Sequence, residues 1–162
     1  MAPQPQPSPF GPSSFGPGVD ARIERAAELC ARRGARLTDL RRQVLGLVLA
    51  AKAPIGAYEL LDRLRTHRSG AAPPTVYRAL DFLLAQGVIH RVERLSAFVS
   101  CLGHEAHEHR AQFLICGGCG QVTEIEDHAV ETALAEAASR TGFAIRGATI
   151  EAEGLCAACQ AG

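Results

Sequence analysis

Six cysteines and six histidines are spread unevenly along this 162-residue chain, and the stretch CLGHEAHEHRAQFLICGGCG, Cys101 to Gly120, holds three of each. Two CxxC pairs stand in the C-terminal part, Cys116-Gly117-Gly118-Cys119 and Cys156-Ala157-Ala158-Cys159. Each pair can set two thiolates on one ion in a tight turn, and four thiolates complete a tetrahedral set for Zn(II). Such a set leaves no coordination position for a substrate, so it predicts a structural ion. The 36 residues between the pairs exceed the usual zinc-ribbon loop, so they must fold as a unit pinned at its ends. The competing chemistry is a thioredoxin-like redox pair. That fold needs its CxxC to open a helix, whereas Gly120-Gln121-Val122 leads back into strand.

Cys101, His104, His107 and His109 remain, with His90 upstream and Glu124 downstream. Histidines in a surface loop are often polar filler, but their clustering beside a cysteine outside both pairs points to a second, mixed N/S/O site. Thiolate with imidazole favours zinc over Mn(II) or Mg(II), while an Fe(II) or Mn(II) sensor more naturally uses nitrogen and oxygen alone. Catalytic patterns do not fit. In HEAHEH the second histidine follows the first at i+3, not at the i+4 of HExxH. The HxE and proline of a zinc deaminase, a phosphate loop and a serine elbow are all missing, so the expectation is a protein without catalytic residues.

The elements that must hold these groups follow from periodicity. Residues 1–19 are read as a disordered Pro/Gly-rich arm, because little in it can be buried. A first helix places Ile23, Ala26, Ala27 and Cys30 on one face and ends at Gly34, which makes Cys30 a core residue. LTDLRRQVLGLVLAA predicts a second helix capped by Thr38, and Tyr58 to His67 a third, after Pro54-Ile55-Gly56. PPTVYRALDFLLAQG predicts a fourth, entered at its prolines and left at Gly87, with Val76, Ala79, Leu80, Leu83 and Leu84 on one side. VIHRVERLSAFVSC then reads as a hairpin turning at Glu93-Arg94-Leu95-Ser96. Helices followed by a hairpin are the order of a winged helix-turn-helix, here over residues 20–100. In residues 101–162, QVTEI reads as a strand, DHAVETALAEAASRTG as a helix capped by Asp127 and ended by Gly142, and FAIRGATIEAEG as a strand. The fold class is therefore α+β: a winged helix followed by a small α/β domain with a structural zinc.

Net charge is zero, but residues 1–100 carry 14 Lys+Arg against 8 Asp+Glu and residues 101–162 carry 3 against 9. The basic half suits a phosphate backbone. On the exposed side of the fourth helix, Arg78 can pair with a guanine edge and Tyr77 can reach a phosphate or a base, while Thr75 stands at the helix start, where backbone N–H groups favour a phosphate. The longest apolar run, Val44 to Ala51, is too short to span a membrane, and the N-terminus lacks the features of an export signal. A cytoplasmic setting is expected, where cysteines serve metals rather than disulfides.

PPTVYRALDFLLAQGVIHRVE, the LTDLR of the second helix, the GAYELL of the third and the paired CxxC motifs together resemble the ferric-uptake-regulator family. FVSC with its histidine-bearing loop, FLICGGCG, GFAIRGATIEAEGLCAAC and the position of His90 resemble its zinc-uptake-regulator branch. The resemblance runs from about residue 20 to the C-terminus and leaves out the arm. It implies a homodimeric, zinc-responsive repressor of zinc-uptake genes, bound to palindromic double-stranded operator DNA when zinc-loaded. It further implies two Zn(II) per chain and no small-molecule substrate. The structural zinc ligands implied are Cys116, Cys119, Cys156 and Cys159; the regulatory ones are His90, Cys101, His109 and Glu124. DNA-contacting positions fall on Tyr58, Tyr77 and Arg78. His104 and His107 have no ligand counterpart in the pattern, and either could replace His109. An iron or peroxide sensor of the same family, a zinc storage or delivery protein and a CxxC redox enzyme are the alternatives.

Overall fold

The computed structural model describes residues 15–101 and 111–161. The N-terminal part runs α1 (Pro17–Arg32), α2 (Asp39–Ala50), β1 (Ile55–Gly56), α3 (Ala57–Arg65), α4 (Pro73–Ala85), β2 (Ile89–Val92) and β3 (Ala97–Ser100). The apolar spacing explains α4. Val76, Ala79, Leu80 and Leu83 recur at three- and four-residue intervals and all are buried. Prolines at its first two positions remove N–H groups that would have no intrahelical partner. Gly87, at φ +67, turns the chain out of the helix into β2. Cys30 is fully buried in the same core, as its helix face required. Thr38 occupies the N-cap position of α2, but its side chain makes no capping hydrogen bond.

Two details depart from the sequence reading. Ordered structure begins inside the segment assigned to the arm: α1 starts at Pro17, and Phe15 packs on the core where Gly46 of α2 leaves room for its ring. Residues 1–14 lie outside the described residues. The hairpin also has a third partner, because Ile55–Gly56 pairs with Ala97–Phe98 to give the antiparallel order β1-β3-β2. That strand comprises two residues, too few for an alternating pattern to mark it.

The C-terminal part contains β4 (Ala111–Cys116), β5 (Val122–Ile125), α5 (His128–Ser139), β6 (Thr149–Gly154) and α6 (Ala157–Gln160). Its sheet has the order β5-β4-β6, antiparallel between β4 and β5 and parallel between β4 and β6. Asp127 caps α5 as expected, its carboxylate accepting from the Ala129 and Val130 amides. The expected strand over residues 143–154 is shorter. Strand pairing starts at Thr149, opposite Ala111, the first described residue of β4.

The wing joins the two parts because its strands alternate. Ile89 and Phe98 enter the helical core, while Val92 and Val99 turn the other way and pack with Ala111, Phe113, Ile115 and Val122 of the C-terminal sheet. His90 shares a face with Val92, and its ring meets Phe113 edge-on at 5.7 Å between centroids. One strand thus carries a histidine into the gap between two sheets.

Candidate metal centres and nucleic-acid interface

The four CxxC sulfurs converge. Cys116 ends β4, Cys119 lies in the turn closed by the Gly120 amide donating to the Cys116 carbonyl, Cys156 occupies the N-cap position of α6 and Cys159 lies within that helix. Their ligand atoms all lie within 4.8 Å of one another, and Cys119 Sγ stands 3.8 Å from Cys156 Sγ. A tetrahedral Zn(II) with Zn–S near 2.3 Å has sulfurs about 3.8 Å apart, so the set fits that ion. A disulfide would require about 2.05 Å, and none of the six cysteines is in one. The amides of Cys156, Cys119 and Gly118 hydrogen-bond the Cys116 sulfur and pull its thiol down to about 6, whereas hydrogen bonds with the sulfurs of Cys156, Cys116 and Cys119 push Cys159 up to about 12. One thiolate forms readily here. Cys159 gives up its proton readily only with a cation beside it.

Gly118 shapes this cluster. A Cβ there would lie 3.0 Å from Cys159 Sγ and 3.2 Å from Cys159 Cβ, tighter than ordinary packing. The second glycine of Cys116-Gly117-Gly118-Cys119 therefore lets α6 approach.

His90, Cys101 and Glu124 form the second cluster, again within 4.8 Å. They come from β2, the residue that follows β3, and β5, and the hairpin and sheet registers place them together. His90 Nε2 is 3.3 Å from Glu124 Oε1, and the Glu124 side chain is only 5 % exposed. Burial would lower the His90 pKa, but its hydrogen bonds with Cys101 and Glu124 and their negative charge outweigh it and hold His90 at about 9. Imidazole, thiol and carboxyl are the mixed donor set that a borderline ion such as zinc takes. The fourth ligand implied by the resemblance, His109, lies outside the described residues, as do His104 and His107.

The DNA-facing candidates are on α3 and α4. Tyr58 in the first turn of α3 is 73 % exposed and Tyr77 on α4 is 44 % exposed, so both rings are open to a partner. Arg78 is exposed beside Tyr77, and Thr75 is half-buried at the start of α4. α2 supports this helix: Arg41 lies 3.5 Å over the Phe82 ring. The structure also presents residues that periodicity alone passed over. Glu151 on β6 accepts from the wing-turn amides of Glu93 (2.6 Å) and Arg94 (3.0 Å), and the Arg94 guanidinium pairs with Glu153.

A winged helix tied through a His/Cys/Glu cluster to a four-cysteine α/β unit defines a class of metal-dependent DNA-binding folds. This chain belongs to the ferric uptake regulator family, whose sequence model matches residues 32–153. It is 45 % identical over 137 residues to the zinc uptake regulation protein of Escherichia coli (strain K12), a match that covers 85 % of this chain and 80 % of that protein. It is similar to a zinc uptake regulator solved in complex with zinc and DNA, with a TM-score of 0.85 and 42 % identity over 90 % of this chain and 97 % of that one. Against XcZur, 43 % identical, the TM-score is 0.80 for the holo crystal structure and 0.51 for the apo one; both cover 88 % of this chain, with 99 % and 97 % of the solved chains.

Proposed function

We propose that this chain is a zinc-responsive transcriptional repressor of zinc-uptake genes that acts as a homodimer on palindromic operator DNA. The observation that carries this reading is the cluster of His90, Cys101 and Glu124, whose ligands come from the wing, the end of the wing and the C-terminal sheet. An ion held by these residues and His109 would supply the attraction that fixes the wing against that sheet. The chain's greater likeness to holo than to apo XcZur supports the same link between metal and domain arrangement. Zinc is the metal favoured, because a thiol takes part; an iron or peroxide sensor would be better served by nitrogen and oxygen alone. With the four-cysteine site the count is two Zn(II) per chain.

The residues have separable tasks. Cys116, Cys119, Cys156 and Cys159 hold the C-terminal unit together. Tyr58, Tyr77, Arg78 and the start of α4 at Thr75 meet DNA. The C-terminal unit pairs with a second copy, a role supported by the exposure of Leu114, Val130, Phe143 and Leu155. A twofold dimer would then set two recognition helices one DNA turn apart, about 34 Å. None of the described helices is long and apolar enough to cross a membrane, in keeping with work on DNA in the cytoplasm.

The test is a DNA-binding titration against zinc concentration, with Fe(II) and Mn(II) in parallel, on a duplex selected from a random-sequence library by the zinc-loaded protein. Tight, palindrome-specific binding driven by zinc at the lowest concentration is expected. Equal binding with and without metal, or a response to Fe(II) alone, would overturn the reading. Zinc storage or delivery would appear as metal exchange that is indifferent to loss of Arg78.

A further inference from the structure

The wing touches the C-terminal sheet at a second point, away from the metal cluster. β2 and β3 are joined by a short 3-10 turn, Glu93–Leu95, and Ser96 closes it in the left-handed conformation (φ +48). The two leading amides of this turn, Glu93 and Arg94, both donate to the Glu151 carboxylate. Glu151 is fixed in turn by β6, where it stands opposite Phe113. Glu124 stands opposite Phe113 from the other side, on β5. One row of the sheet therefore presents Glu124, Phe113 and Glu151 to the wing: a carboxylate for His90, a ring under His90 and a carboxylate for the turn.

We propose that Glu151 is a positioning residue for the metal response, latching the wing turn so that the hinge ligands are brought together before an ion enters. The inference rests on the functional reading above. Its physical basis is that the donors are backbone amides, so Glu151 senses the path of the wing rather than the identity of its side chains. A carboxylate accepting two amides makes charge-assisted bonds. Where a site is competent in only a fraction of molecules, apparent affinity falls by that fraction, and loss of the latch lowers it. The neighbouring Arg94–Glu153 pair is a contact between two long, exposed side chains, which holds less of the backbone path than bonds made to the turn amides themselves.

The experiment compares Glu151→Ala, Glu151→Gln and Glu153→Ala with wild type in the full chain. Three quantities are measured: amide exchange at Glu93 and Arg94, zinc affinity of the second site by chelator competition, and retention of the first zinc. For Glu151→Ala, faster exchange at both amides and a second-site affinity weakened about fivefold or more are expected, with the first zinc kept. Glu151→Gln, which keeps one carbonyl acceptor at the same length, should fall between, and Glu153→Ala should stay within about twofold of wild type. Wild-type exchange and affinity in both Glu151 variants would overturn the latch, and so would loss of the first zinc from Glu151→Gln, which would make the residue part of the fold. Both main readouts are independent of DNA. A wild-type protein that binds DNA without regard to zinc would therefore refute the functional reading and leave the latch to be judged by exchange and affinity.

Discussion

Glu124 and His90 are brought within 3.3 Å although one lies on β5 of the C-terminal sheet and the other on the wing. Neither strand would place its residue there alone. β2 alternates so that Ile89 anchors in the helical core while His90 faces outward, and β4 sets β5 at the height of Phe113. The contact therefore exists only when the winged helix sits on the C-terminal sheet in this arrangement. On the proposed function, coupling between metal and DNA would follow from that dependence, since an ion that needs both carriers favours the arrangement that unites them.

Cys101→Ser removes the soft donor from this cluster but none of the four sulfurs of the other. The protein should stay folded and dimeric, keep one zinc per chain, and bind DNA only at higher zinc or not at all. Zinc stoichiometry, mass and zinc-dependent DNA binding, measured together, check it. An unchanged zinc response, or an unfolded variant, would sink the regulatory assignment of His90, Cys101, His109 and Glu124.

Zinc uptake by the second site should depend on pH, with the sign fixed by His90. Its pKa stands at about 9, so at neutral pH the metal-free imidazole carries a proton that an incoming ion must displace. Apparent affinity should then fall as pH falls below about 9, by roughly tenfold per pH unit for this proton alone. Chelator competition between pH 6 and 8 gives the slope. A flat profile would show that no proton leaves His90 when the ion enters.

Arg78→Ala should abolish specific DNA binding while zinc content and dimerisation persist. A bidentate arginine contributes about 1–3 kcal/mol of base discrimination, and a dimer loses it twice. Arg78 is exposed on α4, away from the buried face of Val76, Ala79, Leu80 and Leu83, so the fold should not suffer. Wild-type affinity for the selected duplex in the variant would mean that α4 is not the reading helix.

How far these features were legible in the chain depends on the range over which each is encoded. The four-cysteine site is written in two short motifs, and α4 in thirteen residues of regular spacing, so both could be read directly. The central strand β4 carries no strand signal in its sequence. As the middle strand of its sheet, with five of its six residues buried, AQFLIC shows no in-and-out alternation. The Glu151 contact spans 57 and 58 residues and uses backbone donors, so no residue type on the wing signals it. His90 and Glu124 stand out by residue type near the Cys101 cluster and the resemblance gives them their ligand roles, but only the packing of two sheets explains why they meet.

The four-cysteine site can be damaged in two ways. Cys116→Ser removes a thiolate from a set whose metal-binding energy is also folding energy, so the C-terminal unit should lose structure as zinc leaves. Gly118→Ala leaves all four sulfurs in place but sets a methyl group 3.0 Å from Cys159 Sγ, against the short α6 that carries two ligands. Either α6 shifts by a few tenths of an ångström or the loop does, and both loosen the tetrahedral set. Gly118→Ala should therefore fold in the presence of zinc but surrender it to a chelator faster than wild type, and it should unfold at a lower temperature. Gly117→Ala serves as the comparison, because the nearest atom to its added methyl is an oxygen of the Glu153 side chain, 3.2 Å away, which can move aside. Chelator-induced zinc release and thermal unfolding of the three variants, measured side by side, should rank Cys116→Ser worst, Gly118→Ala next and Gly117→Ala nearest to wild type. Equal zinc retention in the two glycine variants would show that the approach of α6 to Gly118 does not matter to the site.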